Sequence, residues 1–461
     1  MDDKQEAQYI RMTTAPIEPL LLKLSIPTIF SMLITSLYNM ADTYFVGGLG
    51  NSATGAVSVV FSLMTVIQAV GFFFGHGSGN TISRQLGSHR FDEAEQMAAS
   101  GFFLSMIGGA VIGIAGLIFI DPLAMALGST ETILPYARDY MRYILIATPF
   151  MTSSLVLNNQ LRFQGYAVYA MVGIVSGGVL NMILDPILIY VCDLGVAGAA
   201  IATAISQFFS WCLLLAGNHR DGCVHISLRN FRPTMHQIRL IVRGGSPSLF
   251  RQGFGSISTI VLNHAAGPYG DAAIAAMGIV NKVITFIRSA MIGFGQGFQP
   301  VCGFNYGAKL YDRVRRAYFY SIKVTTIVLT VIGVAGCIFA AQIVALFRDD
   351  PDVIYYGTLA FQLQAATLVF APVITMSNMM TQTIGKTLQA NILASAWQGL
   401  LFIPPVVILP HFIGFLGVQL AQPIANVLTA ALAIPICRSV FRDMYRELAA
   451  IAAAKAEQSD A

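Results

Sequence analysis

Two aspartates stand where the chain is otherwise apolar. Asp42 closes the segment Tyr38-Asn39-Met40-Ala41-Asp42, inside a run from Pro19 to Val46. Asp185 lies in Asn181-Met182-Ile183-Leu184-Asp185-Pro186, inside another such run. Nearly every other Asp and Glu falls in a polar connection, near a run end or in a tail. Both runs exceed the ~20 apolar residues that cross a bilayer. A carboxylate at that depth is expensive and marks a functional site by default. Two such groups brought close in low dielectric titrate as a unit. They can take up a proton, or hold Na+ with nearby amide, hydroxyl and carbonyl oxygens. A purely structural hydrogen bond to a neighbouring helix is the plainer alternative, but a neutral side chain would make that bond at less cost.

Helical spacing adds the neighbours. Tyr38 and Asn39 stand four and three residues before Asp42, on its face of the helix. Asn181 stands four before Asp185. Thr203, on the sixth run, enters from the same side to a comparable depth. Tyr38, Asn39, Asp42, Asn181, Asp185 and Thr203 are thus the candidate proton- or cation-coupling set. Any metal there would be Na+ at Asp42 and Asp185. Pro27 lies within the first run, where it removes a backbone donor and crowds the preceding turn. It is a candidate hinge, with a static kink as the simpler reading. Pro186, the second candidate hinge, directly follows Asp185 and frees the carbonyl of Met182.

The elements that must position these groups are membrane helices. Of 461 residues, 55% are hydrophobic and 11% charged, against about 25% charged in soluble domains. The expected solvent is therefore lipid. Twelve long apolar runs are read as helices, about 19–46, 53–80, 93–119, 134–158, 166–191, 195–216, 237–264, 272–302, 313–340, 353–380, 387–410 and 413–437. A spanning β-barrel needs ~10-residue alternating strands, a pattern these runs lack. The fold class is an all-α polytopic membrane protein. The six cysteines are scattered without a CxxC pair and read as free thiols packed as small apolar residues. No basic stripe with interleaved aromatics points to nucleic acid. The polar start of the chain lacks the pattern of a cleaved signal peptide.

Lys and Arg set the orientation. Taking connections alternately, one side collects 21 of them and the other only Arg138, Arg142 and Arg348. Both termini are therefore expected in the cytoplasm, with an even number of spans. The divisions follow: 1–16 a cytoplasmic N-terminal segment, 17–216 a first six-helix lobe, 217–236 a cytoplasmic linker, 237–446 a second lobe, and 447–461 a cytoplasmic tail. The lobes repeat. A constant 220 residues separates Pro27 from Pro247, Gly75 from Gly295, Gly77 from Gly297, Gly87 from Gly307, Asp92 from Asp312 and Gly165 from Gly385. Leu194-Gly195-Val196 recurs at Leu416-Gly417-Val418. An even number of spans per lobe implies parallel repeats, related by a pseudo-twofold axis along the membrane normal. The counterparts of Asp42 and Asp185 at that offset are Leu262 and Pro405. The acids belong to the first lobe alone, which a scaffold role common to both lobes does not predict.

Three basic residues, Arg251, Lys282 and Arg288, lie too deep in helices seven and eight to reach the interface easily. They are candidates for a partly cationic substrate path that favours anionic or zwitterionic cargo. Neutralising helix-end carbonyls is the alternative. Gly75-His76-Gly77-Ser78-Gly79 has no preceding strand and no following Lys, so close helix packing explains it better than nucleotide binding. His76 and His264 read as hydrogen-bonded structural histidines before proton relays.

Pro27, Tyr38-Asn39-Met40-Ala41-Asp42, Asn181-x-x-x-Asp185-Pro186, Thr203 and the glycine-rich ends of helices two and eight resemble the multidrug and toxic compound extrusion (MATE) family, closest to its DinF-like branch. The resemblance runs from about Pro16 to Arg446. It implies a V-shaped outward-facing form, alternating access, and export of amphipathic, often cationic, compounds against H+ or Na+. It also implies that Tyr38, Asp42, Asn181, Asp185 and Thr203 form the coupling pocket. The branch coupled through the second lobe carries acids in helices seven and ten, and here those spans have none. The expectation is a non-enzymatic antiporter of a bacterial inner membrane, acting on small molecules, sufficient as a monomer, and needing no cofactor beyond the coupling ion. The alternative is a flippase for a lipid-linked anionic headgroup, which the deep basic residues favour and the two acids oppose. An intramembrane enzyme finds no HExxH, no Ser/His pair and no metal-ligand cluster to support it.

Overall fold

A computed structural model describes residues 3–47, 51–220 and 222–459, with side chains at 39–44, 46–47, 51–54, 58 and 454–459 outside that description. No strand occurs among the described residues. Twelve long helical units follow one another: α1 (Ile17–Gly47), α2 (Asn51–Gly87), α3 (Phe91–Ile118), α4 (Leu134–Phe163), α5 (Ala167–Val191), α6 (Gly195–Asn218), α7 (Met235–Ala266), α8 (Asp271–Gly307), α9 (Tyr311–Ile338), α10 (Pro351–Thr383), α11 (Thr387–Ile413) and α12 (Phe415–Ser459). Ten contain a stretch apolar and long enough to cross a membrane. The other two, α4 and α7, are 30 and 32 residues long but carry more polar side chains. In lipid only closed hydrogen-bonded structures span, and helices close their bonds internally.

Local sequence explains the starts and the irregular turns. Thr234 caps α7 by accepting the backbone N–H of Gln237, and Asp350 caps α10 through those of Asp352 and Val353, with Pro351 in the first turn. Pro186 has no N–H to donate, and α5 continues past it as a π turn, Ile187–Val191. A second π turn, Ala396–Leu400, precedes Pro404 and Pro405 in α11. A 3-10 turn at Thr367–Phe370 interrupts α10 just before Pro372.

The 220-residue offset governs contacts as well as residue types. The side-chain amide of Asn158 donates to the carbonyl of Ala170 at 2.9 Å, and that of Asn378 donates to Ala390 at 2.8 Å. Gly113 faces the Leu145 carbonyl, and Gly333 that of Ala365. His89 and Lys309, both non-glycine, each hold a φ of 58°. The symmetry also crosses between the halves of the chain. A Cβ on Gly87 would stand 2.2 Å from the Phe304 carbonyl, and one on Gly307 would stand 2.2 Å from the Arg84 carbonyl. Each half thus presses a glycine against the other's backbone at the same step. Gly244 and Gly245 of α7 lie on Gly77 and Phe73 of α2, and Gly293 and Gly297 of α8 lie on Ile29 and Ser25 of α1.

These close approaches gather at one end of the molecule, next to the N-terminus and the linker. A helix not anticipated from sequence, Asp3–Thr14, lies across that end. Gln8 donates to the Gln164 carbonyl of the first half, while Asn305 of the second half donates to the Met12 carbonyl. The Tyr9 ring sits 3.9 Å from that of His89, and Arg313 donates to the Ala15 carbonyl at 2.6 Å. The linker is packed too: the backbone N–H of Val224 donates to Gln164, and Asn230 to Glu95.

Several expectations change. The tail from Glu447, whose Ala-rich polar sequence reads as either a frayed helix or disorder, continues α12 as helix to Ser459, because Ala-rich sequence propagates a helix already nucleated. Arg162, counted among the loop charges, is inside α4 and only 1% exposed. Among the cysteines, Cys223, Cys302 and Cys437 are buried, but Cys192 and Cys212 are exposed. Burial in the linker pushes the Cys223 thiol up to about 12.

Candidate functional site

The site is built where α1, α5 and α6 meet. Asp185 is fully buried (0% exposed), and Asn181 and Thr203 nearly so. Asn181 sits one helical turn before Asp185, and its amide donates to Asp185 Oδ1 at 3.2 Å and to Thr203 Oγ1 at 3.4 Å. Three of the six residues singled out for coupling therefore share one polar cluster. Small residues let the helices close around it. Gly177 faces Ser210 of α6, and Ser210 donates to the Gly173 carbonyl at 2.9 Å. Gly178 faces the Tyr38 ring, 3.4 Å from where its Cβ would be.

Two contacts fix the register of α1 on α5. Tyr38 lies beside Gly178, and farther along the Tyr190 hydroxyl donates to the Phe45 carbonyl at 2.5 Å. Asp42 falls on α1 between those two levels, as Asp185 does on α5. The side chains of Asn39 and Asp42 lie outside the described residues.

Below the cluster lies a cavity of about 100 Å³, lined by α1, α2, α4, α5 and α6 and closed by Gln296 of α8. Tyr38 lines it. Its walls are methionine and aromatic surface, such as Met64, Met151, Met171 and Phe72, interrupted by amides at Gln68, Asn158 and Gln207. Thioethers adapt their shape, which suits ligands of varied outline. Pro27 stands just below. Ser25, before it, donates to the Phe294 carbonyl at 3.1 Å, and Thr28, after it, to that of Gly293 at 2.6 Å, tying α1 to α8 on both sides of Pro27. On its upper side Ser31, Thr35 and Tyr38 face the cavity. Pro27 thus stands where the cavity-lining part of α1 begins, and that part also touches α8 through Thr28 and through Ser36, whose hydroxyl lies 3.1 Å from that of Ser289. Pro186 opens the π turn that ends α5.

The basic residues divide. Arg251 Nη1 donates to Asn378 of α10 at 3.1 Å, and the Arg288 guanidinium stacks over Trp397 of α11 at 3.8 Å. Both face the second half. Lys282 is exposed on α8, and no contact joins it to either arginine. His76 is buried, with Nδ1 on the Phe72 carbonyl at 3.1 Å, as a structural histidine would be. Sequence reasoning missed Arg162 and Asn158, which line the cavity. The repeat held a signal for Asn158, since Asn378 stands at the same offset.

A bundle of apolar helices that buries a carboxylate beside an adaptable cavity defines a polytopic membrane transporter. The chain belongs to the MatE family, whose sequence profile matches residues 27–187 and 247–408. The two matches begin 220 residues apart, at Pro27 and Pro247. The chain is 28% identical to the multidrug export protein MepA of Staphylococcus haemolyticus, over 91% of this chain and 93% of that protein. It superposes on the crystal structure of a MATE in complex with MaL6 with TM-score 0.90 and 28% identity, covering 95% of this chain and 99% of that one. An outward-facing multidrug resistance MATE family transporter of the MOP superfamily gives TM-score 0.89 and 28% identity, over 95% and 98%.

Proposed function

We propose that the protein exports small amphipathic organic compounds across a bacterial plasma membrane in exchange for H+ or Na+. The observation that carries this is the burial of Asp185 with Asn181 and Thr203 beside a methionine-lined cavity. Asp42 and Asp185 bind the proton or Na+, with Tyr38, Asn39, Asn181 and Thr203 completing the pocket. Charge at the pair alters the packing of α1 on α5, and α1 bends at Pro27 in response. Binding the ion disfavours cargo, and the ion gradient drives release outward. Either ligand shifts the balance only through its differential affinity for the two states. One chain supplies the whole cavity, so a monomer suffices. No cofactor beyond the ion enters this mechanism.

The test is export from proteoliposomes with ΔpH and a Na+ gradient imposed separately. At least one gradient should drive cargo accumulation. Accumulation under neither would reject antiport. Arg251 and Arg288 favour a second reading, a flippase for a lipid-linked anionic headgroup, and lipid translocation without drug export in the same vesicles would select it.

We infer from the Lys and Arg distribution that both termini are cytoplasmic, which puts Cys192, at the end of α5, outside. A membrane-impermeant maleimide should label Cys192 in intact cells. Labelling that requires permeabilisation would invert the topology.

A further inference from the structure

Arg162 is the most buried cation in the first half, at 1% exposure, and it lines the cavity. Its Nη2 donates to Asn159 Oδ1 at 2.6 Å, and its guanidinium carbon lies 5.3 Å from the Phe163 ring. Nε has no acceptor, and no carboxylate among the described residues pairs with the group. His76 and Arg251 are near enough to interact with it electrostatically, and both add positive charge or none. Water excluded from such a site leaves the cation without compensation.

The repeat shows that this is not a demand of the scaffold. At the same offset the second half has Gln382, a neutral amide whose Nε2 donates to the Gly244 carbonyl at 2.8 Å and to Ser248 Oγ at 2.9 Å. The fold therefore accommodates an uncharged donor at this step. The first half substitutes a planar, fixed-charge fork suited to a carboxylate.

We propose that Arg162 anchors the carboxylate of a zwitterionic, amphipathic cargo. The cargo's flat apolar body lies against Met64, Met151 and Met171. The cavity, at about 100 Å³, is smaller than the ~300 Å³ of a drug-sized pocket. Cargo enters by widening it, which uncovers Nε. This deepens the export reading and rests on it for the direction of transport, but binding itself needs no gradient.

The experiment uses two dyes that share a xanthene core, rhodamine 110, with a free carboxylate, and rhodamine 123, its methyl ester. Equilibrium binding is measured by fluorescence polarisation on the purified full chain in detergent. Wild type should bind rhodamine 110 about tenfold more tightly than rhodamine 123. Arg162→Gln, which installs the side chain the repeat already tolerates, should erase that preference while changing rhodamine 123 affinity less than threefold. Arg162→Lys should restore part of it. An unchanged ratio in Arg162→Gln, or an equal loss of both dyes with a normal melting temperature, overturns the assignment. Should Arg162→Gln fail to fold, wild type alone decides, since binding both dyes equally also overturns it. Selective displacement of rhodamine 110 by phosphatidylglycerol, but not by the carboxylate of benzoate, would assign the site to a lipid headgroup and overturn the cargo reading. The outcomes are independent of the ion-gradient assays, so failure here leaves antiport standing.

Discussion

Asp185→Asn should fold and bind cargo yet lose gradient-driven export. The substitution keeps the shape of the side chain and a carbonyl oxygen to accept from Asn181, now at 3.2 Å from Oδ1. The isosteric amide fills the same fully buried space, so the chain should still fold, which the melting temperature checks. The transport deficit has a definite size. One pH unit is worth about 1.4 kcal/mol per proton, or tenfold in accumulation. Under a one-unit gradient, wild type should concentrate cargo about tenfold per coupled proton, and Asp185→Asn should equilibrate it. The same logic applies to a tenfold Na+ gradient. Full accumulation in Asp185→Asn would separate this residue from coupling, whatever its packing.

A comparably large effect is expected at the crossing of α2 and α8. A methyl on Gly87 would stand 2.2 Å from the Phe304 carbonyl, and on Gly307 2.2 Å from that of Arg84. Both obstacles are backbone, which cannot rotate away, and overpacking of this kind costs about 1–3 kcal/mol. The cost falls only on conformations in which the halves are pressed together at this end. Gly87→Ala should therefore raise the population with that end parted by about 5- to 150-fold. Cys302 is a native reporter. It is buried on α8, close enough to Arg84 of α2 to interact electrostatically. In a chain whose other cysteines are Ala, maleimide labelling of Cys302 should accelerate by that factor. Gly253→Ala is the control, since a Cβ there meets nothing within 4 Å. Equal labelling rates in Gly87→Ala and wild type would show that the crossing stays closed through the cycle.

The legible parts of the chain were those written in single residue types at helical or repeat spacing. Runs of apolar residues mark out the twelve helical units, ten of them apolar and long enough to span by themselves, because lipid enforces internal hydrogen bonding. Asn181, Asp185 and Thr203 come together as their spacing and depth imply. The 220-residue offset, read from prolines and glycines, reappears as paired contacts across the halves. What escaped depends on tertiary packing. Asp3–Thr14 has no apolar run to betray it; it is held by Gln8, Tyr9 and Met12 on partners more than 75 residues away. Arg162 resembled any basic residue at a helix end, and only the closure of α4 against its neighbours buries it. Lys282 shares a helix with Arg288, but Arg288 finds Trp397 on another helix and Lys282 has no such ring. Sequence depth could not distinguish them.

The central claim is that cargo and ion compete through the aspartates of the first half. Calorimetry of cargo binding in two buffers of different ionisation enthalpy, with and without Na+, counts the ions displaced. Wild type should release about one H+ or one Na+ for each cargo bound. The Asp42→Asn/Asp185→Asn chain should bind cargo and release none, whereas release undiminished in that chain would place the coupling ion elsewhere.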